Sequence, residues 1–356
     1  MVGGKGVIAE VSLGVGGTQL YSGKNISKKV EARLEEQVQM AVFRHGILKE
    51  LERKLGGSVL AYIENPVGEN VELCREDAGA FEELVRGMDK TKKLFIILNT
   101  SGGDPDAAEK MVNVFRNEFK AGVEVIVPDY AKSAGTLISI GADRIIMGPA
   151  AELGPVDPQI FVSNPKHPED AMFFSARKEL ETLEHIEKKL KKDPELLGLY
   201  ERMLSKMSLE LYGECLAGVK YFAALAERLL SEGAMAGKSS SEISKTVKVL
   251  IGYTEYSLHS GVISGKTARD KLGMNVEIMR SDDEAWNLIR DYYKNASGGM
   301  EYSGAEKVIE RADVSKVLVG DSYLDIVQKR GRKRADKTEN APAEKNAEIA
   351  LLRAKR

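Results

Sequence analysis

Leu94-Phe95-Ile96-Ile97-Leu98-Asn99-Thr100-Ser101-Gly102-Gly103-Asp104-Pro105 is the stretch that decides the fold. Its first five residues read as a strongly apolar strand. Two adjacent glycines then turn the chain into a helix, with Asp104 placed to cap it and Pro105 at the first helical position. Working outward, short apolar runs alternate with amphipathic segments. Toward the N-terminus lie a run at Ser58–Ile63 and a helix near Ala78–Met88. Toward the C-terminus follow a helix near Pro105–Phe119, a run at Val123–Val127, a helix at about Ala134–Ile140 and a strand at Arg144–Met147. Strand alternating with helix over short connections specifies an α/β fold, a parallel sheet with helices on both faces and right-handed crossovers.

The chain has 356 residues, enough for about two domains or one core with large additions. Residues 1–28 are expected to form a Gly-rich arm, a hairpin or a loose segment. From Lys29 to Leu55 apolar residues recur at helical spacing (Val38, Val42, Leu48, Leu51, Leu55), with His45 on the same stripe, and Gly56-Gly57 ends the helix. The main domain is expected over 29–328, with a helical insertion at about 171–256. There Glu181–Lys192 reads as a solvated helix and Leu211–Leu230 as a buried one. Ser239 with Glu242, and Ser281 with Glu284, have the spacing of capping boxes. Residues 329–356 read as a basic, disordered tail.

Charge and composition exclude several classes. Lys and Arg number 52 against 54 Asp and Glu, a net charge of −2, so no global field marks a nucleic-acid binder. No run approaches the roughly 18 apolar residues of a membrane helix, and Glu10 interrupts the only apolar stretch near the start, so a cytoplasmic location is expected. Cys74 and Cys215 stand alone and are expected to be buried thiols, with no zinc spacing and no disulfide framework.

Chemistry is expected at the two turns that a parallel sheet would bring to one edge. At Gly102-Gly103 unshielded backbone N–H groups can stabilise an oxyanion. In Asp129-Tyr130-Ala131-Lys132-Ser133-Ala134-Gly135-Thr136 the pattern A-x-S-x-G is one glycine short of a nucleophile elbow. An activated serine needs a base. Among four histidines, His45 reads as packed and His185 as exposed, while His167 and His259 both lie in loops able to present a base. Asp157, in Gly154-Pro155-Val156-Asp157-Pro158-Gln159, is the carboxylate placed to orient an imidazole. A desolvated lysine is the other route: Lys220 lies inside an apolar helix, and Lys132 adjoins the serine.

Leu98 to Gly103, Ala131 to Thr136, Gly141-Ala142-Asp143 and Leu153 to Gln159, taken in this order, resemble the serine dehydrogenase proteinase family. That family is related to the Clp protease proteolytic subunit and signal peptide peptidase A within the ClpP/crotonase fold. The resemblance is strongest over about Ser58–Ile160 and resumes at His259-Ser260-Gly261-Val262-Ile263 through Leu272 to Val276. It implies a serine peptidase with a Ser, Asp, His triad: Ser133 as nucleophile, His259 as base and Asp157 as orienting acid. The N–H groups of Gly103 and Ala134 would form the oxyanion hole. It implies peptide or protein substrates, a homo-oligomer, and neither metal nor organic cofactor; an unfoldase or membrane partner is not legible. Two other classes fit the same fold, an acyl-CoA-binding enzyme using only the oxyanion hole and a non-catalytic oligomeric scaffold.

Overall fold

The computed structural model describes residues 9–13, 19–22, 28–68, 71–164, 167–205, 207–252, 261–319, 322–328 and 349–353. Five parallel strands form the heart of the sheet, in the order Val276–Ile278, Arg144–Met147, Val123–Val127, Leu94–Asn99 and Ser58–Glu64. Ser58–Glu64 and Leu94–Asn99 are buried along their whole length. Side chains of a strand alternate between its faces, and here the alternation feeds two separate cores. Leu60, Ile96, Leu98, Val125 and Ile145 pack with the helices Arg75–Arg86, Pro105–Glu118, Ala134–Ile140 and Leu209–Glu232. Val59, Ala61, Ile97, Ile126 and Ile146 pack with Lys28–Leu55 and Glu284–Ser303. The sequence reading of an α/β sheet covered on both faces is therefore correct.

Beyond Ser58–Glu64 the sheet continues in antiparallel strands that the apolar pattern does not announce: Lys307–Arg311, Val314–Val319, Ser322–Gln328, Ile349–Arg353, Ala9–Leu13 and Gln19–Ser22. The N-terminal arm thus contains a hairpin. Within the tail read as disordered, Ile349–Arg353 is a strand. The chain after Asp157 first forms an antiparallel hairpin, Gln159–Asn164 with His167–Ser175, and then the helices Ala176–Lys192, Leu197–Leu204, Leu209–Glu232 and Ser240–Leu250.

Most local signals are met, although the Leu211–Leu230 stretch read as a buried helix exposes Tyr212, Leu216 and Tyr221. Gly56 takes φ +69° after Leu55, Asp104 caps its helix by accepting the Asp106 N–H, with Pro105 first in the helix, and Ser239 and Glu242 form a reciprocal capping box. Ser281 does not cap. Asp283 takes that place, its carboxylate accepting the N–H groups of Ala285 and Trp286, since a carboxylate complements the positive helix start. Cys215 is buried but Cys74 is only half-buried.

The site is positioned by a ladder of very short pairings that crosses the carboxyl edge of the parallel sheet. Leu73 bridges Gly103, and Thr100 bridges Ala131. Tyr130–Ala131 pairs with Glu152–Leu153, which pairs in turn with Ile263–Ser264. Turns far apart in sequence are thereby stitched side by side.

Candidate active site

Ser133 has φ 48° and ψ −114°, and it is the only non-glycine residue with positive φ among the described residues. Such a conformation costs an L-residue about 1–3 kcal/mol and persists only where its surroundings impose it. The surroundings are explicit. Lys132 N–H donates to Thr100 O at 3.0 Å, and Gly135 N–H donates to Lys132 O at 2.7 Å. A Cβ on Gly135 would lie 2.4 Å from Thr100 Cγ2, so the final glycine of A-x-S-x-G is required by contact with the neighbouring turn. Ser133 opens the helix Ala134–Ile140, yet its hydroxyl makes no capping bond. The serine is half-exposed.

The Gly102-Gly103 turn lies directly against it. Gly102 and Gly103 have φ +113° and +139°. A Cβ on Gly102 would stand 2.7 Å from Ser133 Cβ and 3.3 Å from Ala134 N, so the glycine turn, the serine and the first helical amide are in contact. Leu73 N–H donates to Gly102 O at 2.7 Å, and Asp104 N–H donates to Leu73 O at 2.8 Å. In a parallel pairing of this kind the intervening N–H, that of Gly103, faces away from Leu73. The Ala134 N–H, first in its helix, has no intrahelical acceptor. The structure thus brings Ser133, Gly103 and Ala134 together.

Asp157 is buried, with Oδ2 accepting Gln159 Nε2–H at 2.9 Å. Its loop is anchored to the serine helix: Thr136 Oγ1–H lies 2.8 Å from Ala131 O and 2.9 Å from Gly154 O, while Gly154 N–H donates back to Thr136 Oγ1 at 3.1 Å. Val156 N–H donates to Leu250 O at 2.7 Å. His259 lies outside the described residues, as does the His167 side chain. The chain just past His259 is described, and Gly261 O is 3.4 Å from Lys132 Nζ.

The remaining bases are placed elsewhere. Lys132 forms an ion pair with Glu152 at 2.5 Å. Lys220 is exposed and lines a surface groove of about 1180 Å³ between the helices after Ala176, with Leu180, Leu216 and Val247 and without Ser133. His185 is exposed. His45 is fully buried on the opposite face of the sheet, 2.8 Å from Ser315 Oγ. Ser315 O–H donates to Glu310, so His45 Nε2–H donates to Ser315, and burial lowers the imidazole pKa to about 4. This serine–histidine contact is sealed from solvent and oriented the wrong way for nucleophilic chemistry.

Sequence reasoning missed Glu64. Its carboxylate is 1% exposed and sits beneath the glycine turn, accepting Thr100 Oγ1–H at 2.5 Å, Ser101 N–H at 2.8 Å and Ser101 Oγ–H at 3.0 Å. Desolvation pushes its pKa up to about 7. Nothing in Ser58–Glu64 marks the residue, because its partners in the glycine turn lie 36 and 37 positions away. Among the described residues no cluster of three or more His, Cys, Asp or Glu could hold a metal ion. No helix among the described residues is long and apolar enough to cross a membrane.

Residues 31–172 match the family described as ClpP-like SDH-type serine proteinase. The matched span includes both turns and Asp157 and ends before His259, and over it the resemblance read from the motifs is borne out. Two uncharacterised proteins of Methanocaldococcus jannaschii are similar: one is 37% identical over 134 residues, covering 35% of this chain and 45% of the relative. The other is 34% identical over 122 residues, covering 32% and 41%. The chain therefore spans less than half the length of these relatives. Among solved structures, a mutant of the 1510-N membrane-bound stomatin-specific protease aligns at 17% identity and a TM-score of 0.37, covering 61% of this chain and 79% of that one. A ClpP1 mutant from Listeria monocytogenes aligns at 18% identity and a TM-score of 0.33, covering 66% and 99%.

Proposed function

We propose that this chain is a serine peptidase that cleaves peptide bonds through an acyl-enzyme on Ser133. The observation that carries the reading is the strained Ser133 backbone, held against Gly102 and beside the Gly103 and Ala134 amides. An acyl-CoA enzyme using the oxyanion hole alone, or a scaffold, has no use for a serine kept at this cost.

In the proposed cycle Ser133 Oγ attacks the scissile carbonyl carbon while its proton passes to the base. The carbonyl oxygen becomes an oxyanion, stabilised by the N–H groups of Gly103 and Ala134. The base returns the proton to the leaving amine as the C–N bond breaks, and water, deprotonated by the same base, hydrolyses the ester. We assign His259 as the base. In its support, Gly261, two residues on, lies beside Lys132, the residue before the nucleophile. We assign Asp157 as the acid that orients the imidazole, supported by its burial and by the anchoring of its loop to the serine helix through Thr136. Substrates are peptides or protein segments. The working form is a homo-oligomer, a reading supported by the exposed apolar side chains of Phe161, Phe173 and Leu209.

The test is intact-mass analysis after fluorophosphonate treatment of wild type, Ser133→Ala, His259→Ala and Asp157→Asn. A single adduct on wild type is expected, absent in Ser133→Ala and formed at least 100-fold more slowly in His259→Ala, following about 10²–10⁴-fold for general-base catalysis. An adduct that persists in Ser133→Ala, or none on folded wild type, refutes the peptidase reading.

A further inference from the structure

Among the described residues, Glu64 is the buried carboxylate that touches the glycine turn. Oε2 accepts both the N–H and the hydroxyl of Ser101, and Oε1 accepts the hydroxyl of Thr100. Thr100 Oγ1 in turn accepts Gly102 N–H at 3.0 Å. Three consecutive residues are thus tied to one carboxylate, and the next amide along is that of Gly103. Without Glu64 the Ser101 N–H and the two hydroxyls would be left to rearrange, and the turn with them.

Among the described residues no Lys or Arg forms an ion pair with this carboxylate, although the Lys307 charge acts on it from nearby. Lys307, opposite it in the sheet register, gives its ammonium to Asp77 Oδ2 at 2.8 Å and to Glu72 O at 2.7 Å. Asp77 Oδ2 also accepts Cys74 N–H at 2.9 Å, which fixes the segment whose Leu73 pairs with Gly103. Tyr62 links the two carboxylates, with its hydroxyl 2.8 Å from Asp77 Oδ2 and 3.1 Å from Glu64 Oε1. A phenol has one proton. Given to the nearer Asp77, it leaves two oxygens facing each other at 3.1 Å unless Glu64 carries a proton. Lys307 and Tyr130 also sense this carboxylate, and the Tyr130 pKa is raised by burial and then by Glu64.

We infer that Glu64 is a positioning residue for the oxyanion hole, acting through Thr100 and Ser101 to hold the Gly103 N–H in place, with its protonation state coupled to the turn. This rests on the peptidase reading above. Glutamine keeps the size but replaces one accepting oxygen with a donor, so one side of the tie is lost. Because an oxyanion donor acts in the transition state, the loss falls on the chemical step.

The experiment measures fluorophosphonate labelling rates and steady-state cleavage of an unstructured protein such as casein, from pH 5 to 9. It uses wild type, Glu64→Gln, Thr100→Val, Thr100→Ser and the Glu64→Gln/Thr100→Val double variant, each checked for native circular dichroism. Glu64→Gln is expected to lower kcat and the labelling rate about tenfold, with KM changed less than twofold. It should also remove an inflection near neutrality from the wild-type pH profile. Thr100→Ser should keep near-wild-type rates, and the double variant should lose little beyond the worse single one. Wild-type rates and an unchanged pH profile in folded Glu64→Gln, while wild type labels at Ser133, overturn this inference and leave the peptidase reading intact. A Glu64→Gln loss confined to KM, or additive losses in the double variant, also overturn it. Absence of any Ser133 adduct on wild type overturns both.

Discussion

Replacing Gly102 with alanine tests the site through its tightest contact. The new Cβ would stand 2.7 Å from Ser133 Cβ and 2.9 Å from Lys132 O. Relief requires opening the first of these to the 3.4 Å of an ordinary contact, a displacement of 3.4 − 2.7, or about 0.7 Å, between nucleophile and glycine turn. A misplacement near 1 Å costs of order 10²-fold in rate, equivalent to roughly 3 kcal/mol of barrier. Alanine at φ +113° adds about 1–3 kcal/mol of backbone strain, which lowers stability. Gly304→Ala separates the two effects. That residue has φ +74° at the end of Glu284–Ser303 and nothing within 4 Å of its Cβ position, so it carries backbone strain without contact with the site. The assay pairs fluorophosphonate labelling with urea denaturation. Gly102→Ala should lose both rate and stability, and Gly304→Ala only stability. Labelling of Gly102→Ala at the wild-type rate would refute the placement of Gly102 against the nucleophile.

Two further outcomes follow from the buried and exposed groups. Lys220→Ala should label at Ser133 at the wild-type rate, since Lys220 lines a groove that excludes the serine; a tenfold loss would return lysine to candidacy as the base. Stability should be nearly level between about pH 4.5 and 6.5, because two buried groups oppose each other. His45, at about 4 in the fold against an ordinary 6.5, leaves the unfolded chain holding more protons in that window, so its contribution is lost as pH falls. Glu64, at about 7 against 4.5, holds its proton in the fold, so its contribution is lost as pH rises. Urea denaturation of His45→Gln should show stability falling from pH 4.5 to 7, and of Glu64→Gln rising from pH 4 to 6.5, each by roughly 3 kcal/mol at 1.36 kcal/mol per pKa unit; parallel profiles for the two variants would contradict the assignment.

The parallel core was legible because strands buried on both faces carry unbroken apolar runs, as at Leu94–Leu98, with cap residues such as Asp104 marking where helices begin. The strands Lys307–Arg311 and Val314–Val319 were not, because Lys307, Glu310 and Lys316 interrupt the apolar run. These residues are nevertheless buried. Their charges are matched by Asp77, Arg44 and Glu83, partners from distant segments that no local pattern reveals. The crossing ladder was equally hidden, since two-residue strands such as Tyr130–Ala131 and Ile263–Ser264 are too short to show a period. At the site, Ser133 and the Gly102-Gly103 turn could be read from small residues at strand ends. Glu64 could not, because a glutamate closing a strand looks solvated until the turn that covers it is in place.

The two turns also explain each other. Gly102 must lack a side chain because Ser133 Cβ occupies that space, and Gly135 must lack one because Thr100 Cγ2 does. Each turn therefore dictates a glycine in the other across some thirty residues of sequence. Gly-Gly alone is a tight turn, and A-x-S-x-G alone is a helix start. Together, with Thr100 bridged to Ala131, they specify a single interlocked surface on which the serine is forced into its strained conformation next to the Gly103 and Ala134 amides. That is why the pair of motifs carries more functional information than either alone. Loosening any member of the lock, Gly102, Gly135 or the Thr100 bridge, should relax Ser133 and reduce its reactivity before it unfolds the buried sheet behind it.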